Sequence, residues 1–263
     1  MLAGYYDDSA DLNIFVVGGL VSPTPRWEGF ADDWELALHR NPRIDYYKSY
    51  HANVRPEDRK SDNQFRGFSR GMIKQKERAL AEVIVAHAEY CVYSPLSRSD
   101  FSTIISPHIQ RPKCGVGRYQ GHEYLYPFHG CIGATIKQLQ ENRVNDQVDF
   151  FFDEQGKVGK WARDMYDNMK VNDHPELAWM QPYLGACVPH DDRKVVELQA
   201  ADLWASRARR YDERTKPVDD DPAFAILAMA LPCKVSYWPS DRLKVMVDKW
   251  FPTLEDSMAR VNS

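Results

Sequence analysis

Two apolar runs in this chain, Leu2 to Tyr6 and Val148 to Phe152, have the composition of buried strands, and each is followed directly by carboxylates: Asp7-Asp8 and Asp153-Glu154. An ionised carboxylate is rarely buried unless it is paired or binds a cation, so acids fused to the ends of core strands restrict how the chain can fold. In an open α/β sheet the ligand crevice lies outside the carboxyl ends of the strands. If the two runs are parallel neighbours, Asp7 and Asp153 meet there. The rest of the chain has the matching order. Leu12 to Leu20 is a second β-rich run, and Asp-Asp-Ser-Ala-Asp at 7–11 has the turn chemistry of a hairpin between the first two runs. Pro23 and Pro25 end that strand, and Trp27 to Leu38 has helical spacing.

Further along, Ile44 to Tyr50 reads as a strand, Met72 to His87 as a long helix, and Tyr90 to Tyr93 as a strand ended by Pro95. A stretch punctuated by Pro107, Pro112, Gly115, Gly117 and Gly121 reads as an insertion. Helices are expected at Phe128 to Gln140, around Trp161 to Met169, at Val195 to Tyr211, after Asp221-Pro222 and from Ser240, with a strand at Tyr183 to Val188. Strands followed by alternating strand and helix units imply an α/β fold with helices flanking a central sheet. At 263 residues the chain fits a single domain, with a core over about 2–211 and a C-terminal helical extension over about 212–263.

Asp202 is the third notable acid. On the Val195 helix it shares a stripe with Val195, Leu198, Ala205 and Arg209, the face expected to pack on the sheet. Oxygen ligands of this kind suit Mg²⁺ or Mn²⁺, the usual equipment of phosphodiester cleavage. The same acids are also ordinary turn and helix-surface residues, and their spacing leaves both readings open.

The residues also resemble a known family. Tyr5-Tyr6-Asp7-Asp8-Ser9-Ala10-Asp11 resembles the Y-x-D-E-S-G-D opening of the prokaryotic domain of unknown function 3800 family, Phe150 to Glu154 resembles its second acidic strand, and Leu198-Gln-Ala-Ala-Asp-Leu203 resembles its L-Q-x-A-D-L helix. The likeness runs over about residues 3–211, with Asp8 in place of Glu and Ala10 in place of Gly. It implies a ribonuclease-H-like fold, with Asp7, Asp153 and Asp202 as catalytic metal ligands and Glu154 or Asp8 as extra ones. Gln199 would then orient a ligand or a metal-bound water, and Glu77 is either a helix-borne acid of the site or one half of a salt bridge.

The net charge of −4 does not mark a nucleic-acid binder, but charge is unevenly spread. Eight basic residues stand against four acids between Arg55 and Arg78, and Arg55, Arg59, Lys60, Arg66, Arg70 and Lys74 are candidates to grip an RNA or DNA strand. A solvated loop and helix face is the other reading of that segment. His190, just before the Asp202 helix, is a candidate proton shuttle or phosphate contact, His51 a weaker one, and His87 a core residue. Cys114, His122, His129 and Cys131 are zinc-competent types at spacings that match no zinc finger, and five scattered cysteines argue against a disulfide framework. With no signal sequence and no membrane-length apolar stretch, the expected setting is cytoplasmic. The expected function is metal-dependent nuclease activity on RNA or DNA. The alternative is a catalytically silent nucleic-acid- or protein-binding module of a defence or mobile-element system.

Overall fold

The computed structural model describes residues 1–109, 122–171, 175–212 and 221–250. Its centre is the predicted hairpin, β1 (Leu2–Ala10) and β2 (Ile14–Pro23), paired antiparallel from Leu2↔Pro23 to Ala10↔Phe15. After it come α1 (Thr24–Trp27), α2 (Phe30–His39), the short α3 (Ser49–Asn53), α4 (Arg70–His87) and β3 (Tyr90–Ser97). Two further turns of helix, α5 (Arg98–Asp100) and α6 (Ser106–Ile109), precede α7 (Leu125–Glu141), β4 (Val148–Asp153) and α8 (Gly156–Val171). The chain then forms α9 (Pro175–Ala178), β5 (Leu184–His190), α10 (Val196–Tyr211), α11 (Pro222–Ala230), β6 (Cys233–Val235) and α12 (Ser240–Trp250).

The product is an α/β fold built on a mixed six-stranded sheet in the order β5-β4-β1-β2-β3-β6. β1 runs antiparallel to β2 and β2 to β3, whereas β4 is parallel to both β1 and β5, and β6 is parallel to β3. Alternation along the strands divides the core. Ala3, Tyr5, Val16, Leu20 and Phe151 face α2, α4 and α10, while Tyr6, Val17, Val21, Phe150 and Phe152 face α7 and α8. The odd-numbered positions of β1 and β4 therefore point towards α10, and Asp7 and Asp153 continue that series. Among the described residues no helix is long and apolar enough to cross a membrane, and Cys91, Cys131, Cys187 and Cys233 are free thiols.

Four expectations are corrected. The hairpin turn is Asp11 to Asn13, four residues later than predicted, because Asp11 Oδ1 accepts hydrogen bonds from the amides of Asn13 (2.8 Å) and Ile14 (2.9 Å). Asp7 and Asp8 thus lie within β1, not in a turn. Residues 44 to 50 form no strand: the amides of Ile44, Tyr47 and Ser49 donate to Leu38 O, Gln199 Oε1 and Asp202 Oδ2, leaving no ladder to build. Pro95 lies inside β3, opposite Val16, where the short β6 has already ended and no ladder donor is needed on that side. The C-terminal part is not purely helical, since Cys233–Val235 joins the sheet edge. Of the predicted insertion, Pro112, Cys114, Gly115, Gly117 and Gly121 lie outside the described residues.

Packing of α10 on β2 sets the geometry of everything that follows. A Cβ at Gly18 would stand 2.9 Å from Ala205 Cα and 3.0 Å from the Trp204 ring, so the helix backbone rests directly on a residue without a side chain. Gly18 is also the β2 partner of Asp7. Any bulk there pushes α10, and Asp202 one turn before Ala205, away from the sheet. Gly18→Val is accordingly expected to lose about 1–3 kcal/mol of stability in urea unfolding. A neutral substitution would mean that the helix does not rest on this strand.

A candidate carboxylate site at the strand ends

Parallel pairing of β1 with β4 runs in register to Tyr6↔Phe152, which brings Asp7 and Asp153 level on the face covered by α10. Asp202 reaches them from that helix. Asp7, Asp8, Asp153 and Asp202 line one open cavity of about 430 Å³ together with Lys48, Ser49, Tyr50 and Asn53. The three acids singled out from the sequence are thus brought together. Asp7 and Asp202 are almost fully buried.

Lys48 lies among them. Its ammonium pairs closely with Asp192 and stands 3.9 Å from both Asp7 Oδ2 and Asp153 Oδ2. Asp202 is held by α3: its Oδ2 accepts from the Ser49 amide at 2.7 Å and its Oδ1 from the Ser49 hydroxyl. Gln199, three residues earlier on α10, fixes the loops that carry these partners. Its Oε1 accepts from Trp34 Nε1 (3.2 Å) and the Tyr47 amide (3.0 Å), and its Nε2 donates to Asp192 O (3.1 Å). Gln199 therefore positions Lys48 and Asp192 rather than touching the cavity itself.

Lys48 is set against five carboxylates, those of Asp7, Asp8, Asp153, Asp192 and Asp202, while Arg209, which also lines the cavity, is paired with Asp11, so negative charge is in excess. Burial, then Asp202, Asp8 and Asp153, hold the Asp7 carboxyl well above its usual range against the pull of Lys48. Burial, then Asp153 and Asp202, push Asp8 up to about 7. Asp153 and Asp202 are raised by burial although Lys48 opposes it. Burial works against the Lys48 charge, but Asp7, Asp202, Asp192 and Asp153 outweigh it and hold the ammonium well above its ordinary value. This is what clustered acids do when they lack enough counter-charge. Their hard oxygen donors match a divalent cation in chemistry. Among the described residues, however, no three His, Cys, Asp or Glu side chains form a group that could hold a metal ion as they stand. The Lys48 ammonium occupies the space between them.

Other predicted residues are placed elsewhere. Glu154 is exposed and only its amide is used, donating to His190 O, so it does not line the cavity. Glu77 pairs with Arg207 and accepts from Tyr47 Oη at 3.0 Å, the salt-bridge alternative. His190 packs against the Phe151 ring, and His51 Nδ1 accepts from the Gln64 amide. His87 is tied to Asp33 and Arg26 O, as a core histidine should be. Arg59 donates to the carbonyls of Val54, Phe65 and Phe68, so it braces its own loop, while Lys60 and Arg66 are exposed and line neither this cavity nor its neighbour. Lys48, Ser49 and Asp192 escaped the sequence reading. The pair Asp191-Asp192 after β5 repeats the acids-after-strand signal, but nothing in the spacing marks Lys48.

No protein-family model matches this chain, and no curated protein is significantly similar to it.

The Asp8 shift has a definite sign. With its carboxyl moved from 3.8 to about 7, the folded state keeps a proton that the unfolded state releases. Its contribution to stability therefore falls as pH rises between about 4 and 7. In chelator, Asp8→Asn is expected to melt above wild type at neutral pH, with a margin that shrinks as pH is lowered towards 4. A margin independent of pH would remove Asp8 from the cluster.

Proposed function

We propose that this chain is a metal-dependent phosphodiesterase of the ribonuclease-H-like kind, acting on RNA or DNA. The observation that carries the reading is the convergence of Asp7, Asp153 and Asp202 on one cavity where the parallel pairing of β1 and β4 ends. An antiparallel β1 to β3 meander, extended in parallel by β4 and β5 beside β1, supports the fold assignment, and the motif resemblance to the domain of unknown function 3800 family points the same way.

Asp7, Asp153 and Asp202, with Asp8 beside them, would hold Mg²⁺ or Mn²⁺. Such an ion, when bound, supplies activation of water and stabilisation of the leaving oxygen. The chain's own residues do the rest. Lys48 offsets part of the carboxylate charge and is long enough to reach a substrate phosphate at the cavity. Ser49 and Gln199 keep Asp202 and the Lys48 loop in place. Each Asp202 oxygen is engaged once by Ser49 and retains a second lone pair for a cation. Arg55 and Arg70, both exposed, would meet the strand.

The second reading is a silent binding module, and it too has an observation behind it: Lys48 already sits beside Asp7, Asp153 and Asp192 and offsets part of their charge with no metal present. The two part on a simple test. Wild type and Asp153→Asn are compared on labelled single- and double-stranded RNA, DNA and hybrid with Mg²⁺ or Mn²⁺. Cleavage by wild type that is lost in Asp153→Asn is expected, together with a metal-dependent rise in melting temperature. At a hundredfold excess over Kd that rise corresponds to about 2.7 kcal/mol. Equal cleavage by both proteins, or no stabilisation at millimolar metal, contradicts the nuclease reading.

A further inference from the structure

The short strand β6 lies at the edge of the sheet, and its first pairing sets one cysteine beside another. In the parallel ladder with β3, Cys91 is level with Cys233, Val92 with Lys234 and Tyr93 with Val235. Residues level with each other on neighbouring strands point to the same face, and paired strands lie about 4.8 Å apart. That spacing falls inside the range of about 4.4–6.8 Å between Cα atoms that a disulfide spans. The two thiols also interact directly: burial first, then a hydrogen bond with Cys233, push the Cys91 thiol well above its ordinary range.

Their exposures differ. Cys91 is fully buried among the residues that face α2, α4 and α10, whereas Cys233 is exposed. A buried thiol in apolar surroundings is inert towards external reagents, because the thiolate is the form that attacks a disulfide and it needs access. An oxidant in solution therefore meets Cys233 first and reaches Cys91 only through it. The other described cysteines are placed elsewhere. Cys131 belongs to the core on the opposite face of the sheet, where its Sγ donates to Val17 O at 3.0 Å, and Cys187 is on β5 at the far edge.

We infer that Cys91 and Cys233 form a dithiol–disulfide couple that reacts with a low-molecular-weight disulfide of the glutathione class, Cys233 capturing it and Cys91 resolving it. The Cys233 thiolate attacks one sulfur of the small disulfide, whose S–S bond breaks, and one small thiolate leaves and takes up the proton that Cys233 gave up. Cys91 then attacks the Cys233 sulfur of the mixed disulfide and expels the second small thiolate, which takes the Cys91 proton. Two protein thiols are oxidised by two electrons in all, and one external disulfide is reduced to two thiols. The new bond fastens the exposed end of β6 to β3. Beyond that end the segment is already pinned, since Ser94 Oγ donates to Ser236 O (2.7 Å) and accepts from Trp238 Nε1 (3.1 Å). A link that closes so long a loop restricts the unfolded chain and so favours the folded one. With one sulfur at an exposed position, the bond stays within reach of reducing thiols.

Reduced protein, freed of small thiols, is incubated under native conditions with oxidised glutathione, alkylated, and mapped by mass spectrometry after non-reducing proteolysis. Wild type, Cys233→Ser and Cys91→Ala are compared, with no metal or nucleic acid present, so the outcome is independent of the proposed function. Wild type is expected to lose two alkylatable thiols, to yield one linked peptide pair containing Cys91 and Cys233, and to regain both thiols in dithiothreitol. Cys91→Ala should stall as a glutathione adduct on Cys233, and Cys233→Ser should give neither adduct nor bridge at this position. Oxidised wild type should melt above reduced wild type, and Cys233→Ser, altered only at an exposed site, should show no such difference. If Cys91→Ala does not fold, wild type and Cys233→Ser decide the matter alone. A glutathione adduct that persists on wild-type Cys233, or a bridge to Cys114, Cys131 or Cys187 in place of this one, would overturn the pairing. An oxidised form that melts no higher than the reduced one would overturn the fastening of β6.

Discussion

The structure depends on how it compensates buried negative charge. Asp7 and Asp202 are among the least solvated carboxylates in the molecule, and an isolated ionised carboxylate at such depth is costly. The fold answers with one ammonium, Lys48, placed between Asp192, Asp7 and Asp153, and with the Ser49 amide and hydroxyl on Asp202. That answer is incomplete, since Asp7, Asp8, Asp153 and Asp202 retain raised proton affinities. Clustered carboxyls with too little counter-charge hold protons more tightly than isolated ones.

The scaffold is arranged to keep this cluster assembled. Gly18 lets α10 lie against β2, Trp204 donates through Nε1 to Val92 O at 2.8 Å, and Arg209 ties the helix to Ser9 and Asp11 at the far end of the hairpin. Gln199 then joins α2, the loop before α3 and the loop after β5 through three hydrogen bonds. Six separate segments are thereby referred to one helix.

Much of this was legible in the sequence because it follows from periodicity. Phe150, Phe151 and Phe152 with terminal Asp153 mark a core strand, and Asp202 shares its stripe with Leu198 and Ala205; spacing alone left these acids equally readable as turn and surface residues, and the motif resemblance implied their convergence. What escaped detection depends on tertiary partners. Residues 44 to 50 have strand-like composition, yet their amides are taken by Leu38, Gln199 and Asp202, partners that no local pattern announces. Lys48 lies in that misread segment, which is why the counter-ion of the cluster was missed. Glu77 shared a helical stripe with core residues, but whether it faced the acids or an arginine depended on where α10 placed Arg207. Pro95 read as a strand end only because the short partner β6, 140 residues later, could not be foreseen.

The central claim is that these carboxylates form a single site in which Lys48 holds the place of a divalent cation. A crystal of the metal-free protein soaked in Mn²⁺ tests it by anomalous scattering. The account predicts a manganese peak among Asp7, Asp153 and Asp202, with the Lys48 ammonium withdrawn from Asp7 and Asp153. A cavity without a peak, and Lys48 still seated on Asp192, would contradict it.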